Sequence, residues 1–343
     1  EDEGEPLGSE AVLIVGSETN RIGQGLEFDT CCTLSSIAWR ARGRKTIIVN
    51  SNPETVSTDF NVSDRLYIEP LFDEDVINVI RKERVRDVVV QLGGQTPLNM
   101  AEALESACAK IVGTPLEGIH NTEDRRRFTE LVQRLGLQQP RNRMAGSFEE
   151  LYAAVEKIGY PVLLRPSFVL GGRSMMIAYG RTDLDTFFES SPPLDPEKPV
   201  LVDQFLEDAF EYDVDAVSDG HNVYVGGIMQ HIEAAGVHSG DSACVFPPFK
   251  SDRTIEYRMV QATAAIARAI GVVGFLNIQF AASGGELYVL EVNPRASRTV
   301  PFLSKTSGVD LVAAAVAVWE GADLRSQGLV APTGDGVGVG ACT

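Results

Sequence analysis

The first third of the chain alternates short β-rich runs with longer helix-like stretches, and that rhythm restricts the fold more than any other feature. Runs at Ala11–Val15, Thr46–Val49, Asp87–Gln91 and Lys110–Val112 are separated by helix-like segments around Gly25–Ala41, Asp73–Glu83 and Pro97–Ser106. Strands that recur at this spacing, each followed by a helix, are joined by crossovers and not by tight turns. The pattern predicts a parallel, doubly wound α/β sheet. In the second helix Val76, Ile77 and Ile80 share one face, and Asp73 is expected to cap its start.

Beyond residue 124 the pattern changes. Helical periodicity at Asp124–Leu135 and Phe148–Ile158 leads into a strand at Val162–Arg165 and a Gly-containing loop. β-rich runs follow at Val200–Gln204, Tyr212–Ser218 and Val223–Gln230, punctuated by turn signals such as Asp219-Gly220. A long helix at about Ile255–Ile270 precedes strands Leu276–Ala282 and Leu287–Val292, which meet at Gly284-Gly285. This unit reads as α+β with antiparallel pairing. The main boundary is expected near Pro115–Asp124. Residues 1–9 and the Gly-rich 326–343 are expected to be disordered or flexible tails, because neither carries an apolar pattern to pack.

Acidic residues outnumber basic ones by 48 to 30, a formal charge of −18. That balance argues against a nucleic-acid partner, whose phosphates demand clustered Lys and Arg. A bound polyphosphate would need metal ions or a local basic cluster. The most apolar helical run, Leu311–Trp319, falls far short of the roughly 20 residues needed to span a bilayer. The N-terminus is acidic, unlike a signal peptide. The five cysteines are odd in number and contain no C-x-x-C pair. Reduced thiols, no membrane and a cytoplasmic location are the expectation.

Several segments carry candidate chemistry. Alternation along Asn277-Ile278-Gln279-Phe280 and Leu290-Glu291-Val292-Asn293-Pro294-Arg295 puts Glu291 and Asn293 on one strand face. A hairpin across Gly284-Gly285 would bring Gln279 to them, and three hard oxygen donors suit Mg²⁺ or Mn²⁺ held with nucleotide phosphates. The same residues would equally suit the wet face of an amphipathic hairpin. Arg295 and Arg298 could hold a planar carboxylate-like substrate and offset phosphoryl charge, or simply form surface ion pairs. Arg165-Pro166-Ser167-Phe168-Val169-Leu170-Gly171-Gly172-Arg173-Ser174 follows a strand and offers backbone N–H groups and arginines to phosphates. In Gly236-Val237-His238-Ser239-Gly240-Asp241-Ser242, His238 could donate to a transferred group. Glu207 and Glu211 could bind ribose hydroxyls or be surface charge. The turn Gly16-Ser17-Glu18-Thr19-Asn20-Arg21-Ile22-Gly23-Gln24-Gly25 lacks the G-x-G-x-x-G spacing of a dinucleotide site.

Asn20-Arg21-Ile22-Gly23-Gln24-Gly25, Asn52-Pro53-Glu54-Thr55-Val56-Ser57-Thr58-Asp59, Gly93-Gly94-Gln95-Thr96-Pro97, Arg165–Gly172, Gly236–Ser242 and Glu291–Arg298 occur in that order. Over about residues 10–325 they resemble the large chains of carbamoyl phosphate synthetases, and their wording is similar to the C-terminal of the two homologous synthetase halves. The resemblance implies a Rossmann-like pre-ATP-grasp domain over 10–120 and a two-lobed ATP-grasp domain over 121–325. It implies ATP-dependent phosphorylation of carbamate to carbamoyl phosphate and ADP, within arginine and pyrimidine biosynthesis.

By the same resemblance, ATP contacts fall on Arg125, Arg165, Gly171, Gly172, Gln204, Leu206, Glu211, Gly236, Val237, His238, Ser239, Gln279 and Glu291. Metal ligands fall on Gln279, Glu291 and Asn293, and the catalytic set on Arg295, Arg298 and His238. The implied ions are Mg²⁺ or Mn²⁺, about two per site, with K⁺ a candidate third. The implied partners are the first synthetase half and a glutaminase small chain. Ser17-Glu18-Thr19 departs from the family's more Gly/Pro-rich turn. Rival expectations are another ATP-grasp carboxylate-amine ligase or carboxylase, or a non-catalytic nucleotide-binding half.

Overall fold

The computed structural model of the chain describes residues 4–17, 25–166, 176–190, 199–235, 237 and 242–340. Its first sheet contains β1 (Ala11–Val15), β2 (Lys45–Asn50), β3 (Arg65–Ile68), β4 (Asp87–Val89) and β5 (Lys110–Val112). All pairings are parallel, in the order β3-β2-β1-β4-β5. Every residue of β1 is fully buried, as a central strand covered on both faces requires. Helices α1 (Leu26–Ala41), α2 (Asp73–Glu83), α3 (Gln95–Asn99) and α4 (Ala101–Ser106) accompany these strands. The helix expected over Pro97–Ser106 is thus two short ones meeting at Met100.

Asp73 is not the cap of α2. Phe72 is the last extended residue and occupies the cap position, so Asp73 lies in the first turn, where its charge meets the positive end of the helix dipole. At the other end of α2, the buried Glu83 accepts from Arg65 Nη1 at 2.7 Å, from Leu7 N at 2.9 Å and from the Tyr67 hydroxyl. Burial raises its pKa, but these three donors outweigh burial and leave it below the usual carboxylate value.

Helices α5 (Leu116–Glu123) and α6 (Arg125–Arg134) follow, with Asp124 capping α6 through Arg127 N at 2.8 Å. A small antiparallel sheet, in the order β6-β9-β7-β8, is built from β6 (Asn142–Ala145), β7 (Val162–Pro166), β8 (Met176–Ala178) and β9 (Val200–Gln204). Helices α7 (Phe148–Ile158) and α8 (Arg181–Ser190) accompany it, and Leu151, Val155 and Leu184 join its core.

The larger antiparallel sheet runs β12-β11-β10-β13-β14. Its strands are β10 (Phe210–Asp219), β11 (Val223–His231), β12 (Cys244–Val245), β13 (Val273–Ser283) and β14 (Glu286–Asn293). One face buries Tyr212, Val214, Ile278 and Phe280 against the long helix α9 (Arg253–Ile270). The opposite face is apolar at Val217 and Phe275, where α10 (Val300–Ser307) and α11 (Leu311–Trp319) pack. These two helices share their core with Val12, Cys31 and Trp39 of the first domain. At that junction Trp39 of α1 stacks on Trp319 of α11, with ring centroids 6.4 Å apart and planes 11° from parallel. Among the described residues no single helix is long and apolar enough to cross a membrane. The bent pair α10–α11 passes on composition, but Leu303, Leu311, Val312 and Val316 are fully buried.

The glycine-rich C-terminal stretch is packed where flexibility was expected. Strand β15 (Val337–Val339) pairs in parallel with Val223–Val225 of β11. Arg268 Nη2 donates to Asp335 O at 2.6 Å. Its glycines serve close approach, since a Cβ on Gly338 would lie 2.1 Å from Leu329 O. The absence of an apolar pattern misled the expectation because β15 is held by backbone bonds to an open strand edge. At the other end, residues 7 and 8 are likewise tied by their N–H groups to Glu83.

Candidate active-site cleft

The polar part of the larger sheet forms the floor of a cleft of about 690 Å³. Strand alternation sets Glu211, Asp213 and Asp215 on one face of β10. The β10–β13 register opposes Asp215 to Asn277 and Asp213 to Gln279, and the β13–β14 register opposes Asn277 to Asn293 and Gln279 to Glu291. A bulge beside Gln279 leaves Leu290 without an opposing residue, so Gln279 faces Glu291 at the cleft. The result is a ladder of acids and amides across three strands. Gln279 Nε2 donates to Glu211 at 3.1 Å, Asn277 Nδ2 to Asp215 at 3.2 Å, and Asn293 Nδ2 to Asn277 Oδ1 at 3.4 Å.

These bonds bear on whether a divalent ion fits. Gln279 commits its nitrogen to Glu211, which leaves its carbonyl oxygen available as a donor to metal. The Glu291 side chain is exposed and makes no hydrogen bond or ion pair among the described residues. A carboxylate flanked by two amide carbonyls, Gln279 and Asn293, is a donor set for a hard cation that keeps water and phosphate in its remaining positions. The residues therefore fit Mg²⁺ or Mn²⁺.

Deeper in the ladder the charges are confined. His231 of β11 is buried, with Nε2 2.8 Å from Asp213 Oδ2 and Nδ1 3.4 Å from Glu211 Oε2. Burial works against the imidazolium, but the Asp213 bond overrides it, so the His231 pKa is strongly raised. Asp215 is pushed up to about 6 by burial, against the Thr299 hydroxyl bond that favours its charged form. Arg295 is also mostly buried, and that burial lowers its pKa despite the charge of Glu291 nearby.

The small sheet and the loops supply the opposite wall. Arg165, at the end of β7, donates from Nε to Asp203 of β9 at 2.7 Å. Burial raises the Asp203 pKa against this guanidinium. Arg125, Arg165, Gln204, Leu206, Glu211, Val237, Gln279, Glu291, Asn293 and Arg295 all line the cleft. Arg298 does not line it, but its charge acts on Arg295. Glu207 is exposed and outside it. Gly171, Gly172, Gly236, His238 and Ser239 lie outside the described residues, as do residues 18–24 of the first glycine-rich turn.

Sequence reasoning missed Asp213, Asp215, His231 and Asn277. The alternating Glu211-Tyr212-Asp213-Val214-Asp215 was a usable signal, because three acids on one face of an otherwise apolar strand need partners.

Two family models match the chain. Residues 8–121 match the carbamoyl phosphate synthase preATP-grasp domain, and residues 124–327 match the ATP binding domain of the carbamoyl-phosphate synthase L chain. The carbamoyl phosphate synthase large chain of Archaeoglobus fulgidus is 52% identical over 331 residues, covering 96% of this chain and 31% of that protein. That of Vibrio cholerae is 49% identical over 328 residues, covering 96% and 30%. The chain thus spans under a third of the length of these relatives.

Among solved structures, a biotin carboxylase–nucleotide complex from Campylobacter jejuni superposes with a TM-score of 0.74 at 18% identity, covering 94% of this chain and 73% of that one. A biotin carboxylase domain from Hydrogenobacter thermophilus, solved with MgADP and bicarbonate, gives a TM-score of 0.71 at 19% identity, covering 92% and 70%. These likenesses bear on fold alone: a pre-ATP-grasp domain followed by an ATP-grasp domain. With both parts matched in order and half the residues shared with its relatives, the chain belongs to the carbamoyl phosphate synthase large-chain family.

Proposed function

We propose that this chain transfers the γ-phosphoryl group of ATP to carbamate, giving carbamoyl phosphate and ADP, as the C-terminal synthetase half of such a large chain. The observation that carries the reading is the pairing of Gln279 with Glu291 on the cleft floor, with Asn293 and Arg295 following on the same strand and turn. Phosphoryl transfer needs little covalent help from a protein; it needs the donor and acceptor held in line and the spreading charge neutralised. Gln279, Glu291 and Asn293 would hold the divalent ions, which when bound would neutralise phosphate charge. Arg125 and Arg165 would hold the polyphosphate from the small-sheet side, with Gln204, Leu206, Glu211, Val237 and the Gly171-Gly172 and Gly236–Ser239 segments completing the nucleotide site. Arg295, Arg298 and His238 would orient carbamate and offset the charge that develops on the moving phosphoryl group.

The choice of half rests on wording: Arg21-Ile22-Gly23-Gln24-Gly25, Asn52–Asp59 and Asn293–Phe302 are similar to the second half. In this reading carbamate comes from the first synthetase half and nitrogen from a glutaminase chain, in arginine and pyrimidine biosynthesis in the cytoplasm. The test is Mg²⁺-dependent formation of ATP from carbamoyl phosphate and ADP by the purified chain. Bicarbonate-dependent ATP hydrolysis without that reverse reaction would assign the first half instead. Stimulation by biotin would favour a carboxylase, and nucleotide binding without turnover a non-catalytic half.

A further inference from the structure

Arg295 belongs to the turn after β14, yet the groups that aim it come from the first domain. Its Nη1 donates to Ala296 O at 3.1 Å and its Nη2 to Asn293 Oδ1 at 3.4 Å. The third nitrogen, Nε, donates to Oε1 of Gln95 at 3.2 Å, leaving the second N–H of each Nη for a ligand. The face of the Phe28 ring lies 5.8 Å from its Cζ. Gln95 is the first residue of α3 and Phe28 lies in the first turn of α1, so both belong to the parallel-sheet domain.

The Gln95 amide cannot turn freely. Its Nε2 donates to Glu123 Oε1 and to Asn99 Oδ1, each at 2.9 Å. Two oxygen acceptors on one side fix the nitrogen there and leave the carbonyl oxygen facing the guanidinium. The turn beneath is held by the same loop. Gln91, fully buried, accepts the Ala296 N–H on its backbone oxygen at 2.8 Å, and its Nε2 donates to Pro294 O at 2.9 Å and to Thr114 Oγ1 at 2.7 Å. The loop between the two glutamines is pressed onto β1's exit, since a Cβ on Gly93 would lie 2.2 Å from Gly16 O. The Gln91 bonds are buried and the Gln95–Arg295 bond half-buried, while the two bonds that fix the Gln95 nitrogen lie at the exposed edge.

We propose that Gln95 is a positioning residue for phosphoryl transfer: through Arg295 Nε it sets the angle at which the guanidinium meets the transferring group, with Gln91 fixing the turn from which Arg295 projects. The inference rests on the phosphoryl-transfer reading above. Carrying this element on the first domain makes that domain part of the catalytic apparatus and not a neighbour of it.

Gln95→Leu keeps the side chain's bulk and removes both functions of the amide. It should lower kcat for ATP formation from carbamoyl phosphate and ADP about 10- to 100-fold, with KM for ADP held within about threefold. Gln95→Glu keeps an acceptor for Arg295 but faces Glu123, and the reciprocal pair Gln95→Glu/Glu123→Gln re-creates the donor–acceptor pattern with the roles exchanged. The pair should recover kcat to within about threefold of the parent. In spectra of ¹⁵N-arginine-labelled protein, the Arg295 Nε–H signal should shift and lose exchange protection in Gln95→Leu and regain both in the pair. Parent-like kcat in Gln95→Leu, a rise confined to KM for ADP, or a reciprocal pair no better than Gln95→Leu would overturn the proposal. If the parent forms no ATP, the functional reading fails, and the Arg295 Nε–H signal still decides whether Gln95 sets that guanidinium.

Discussion

Glu83 and Asp215 are both buried carboxylates, one beside the parallel sheet and one on the larger antiparallel sheet, and their pKa values move in opposite directions. Glu83 has a guanidinium, a phenol and a backbone N–H around it, so its charge is fully served. Asp215 has the hydroxyls of Thr299 and Ser297 and the Asn277 amide but no guanidinium, with Asp213 close by. The difference follows from sheet chemistry. A parallel sheet covered on both faces by helices has no room for charge except at strand and helix ends, where each one is neutralised locally. An antiparallel sheet can leave part of a face uncovered, and here that part accumulates acids whose cost is met by packing elsewhere. One sheet neutralises its charges locally; the other, in the proposed reading, holds the reactive groups.

That division can be broken experimentally. The largest effect is expected from Glu291→Gln, which should cut ATP formation by at least about 10³-fold while leaving the urea midpoint unchanged, because the side chain is exposed and lightly bonded. Near-normal turnover would remove Glu291 from the metal set. Ile14→Ala is the mirror case. It should cost about 3 kcal/mol or more in urea unfolding, with kcat of the folded fraction within about twofold of the parent; a large loss of kcat would show that the first sheet is not mainly structural.

Glu83→Gln should cost about 2 kcal/mol near neutral pH, through loss of hydrogen bonds to a charged acceptor. The folded pKa of Glu83 is lowered, so its contribution is present above the unfolded value of about 4.3 and fades as pH falls through the lower folded value. The variant should therefore show a flatter loss of stability with acid. Asp215→Asn is expected to have the smallest effect. With a folded pKa raised to about 6, Asp215 favours folding when protonated, and the unliganded parent should lose stability as pH rises through that value. The variant should lack that step; an identical pH profile would mean that Asp215 does not titrate there.

The first sheet was legible because its signals are local: Ala11–Val15 and the 3.6-residue spacing of Val76 and Ile80 need no distant partner to be read. The β13–β14 hairpin was legible in its turn at Gly284-Gly285, but not in the bulge that opposes Gln279 to Glu291 in place of Leu290. The alternation of Glu211, Asp213 and Asp215 was legible, but their partners and His231 were not, because these depend on β10 lying between β11 and β13, a register set by long-range pairing. Gln91 ends a predicted strand and Gln95 lies in the Gly93–Pro97 motif, but neither signals its partners; those come from the docking of the Asn293–Ala296 turn against the end of β4. The C-terminal glycines were misread because composition reports what a segment lacks, and β15 is held by backbone groups that composition does not register.

The chain has two tryptophans, Trp39 and Trp319, and both stand at the one place where α1 of the first domain meets α11. Stacked indoles couple electronically and exchange excitation, and neither ring has a distant twin to dilute its signal. Tryptophan emission of the unmodified protein, excited at the red edge where the tyrosines do not absorb, therefore reads out a single junction. Any nucleotide or partner that pivots the parallel-sheet domain against the rest, carrying Gln95 with it, writes that motion into light without a label.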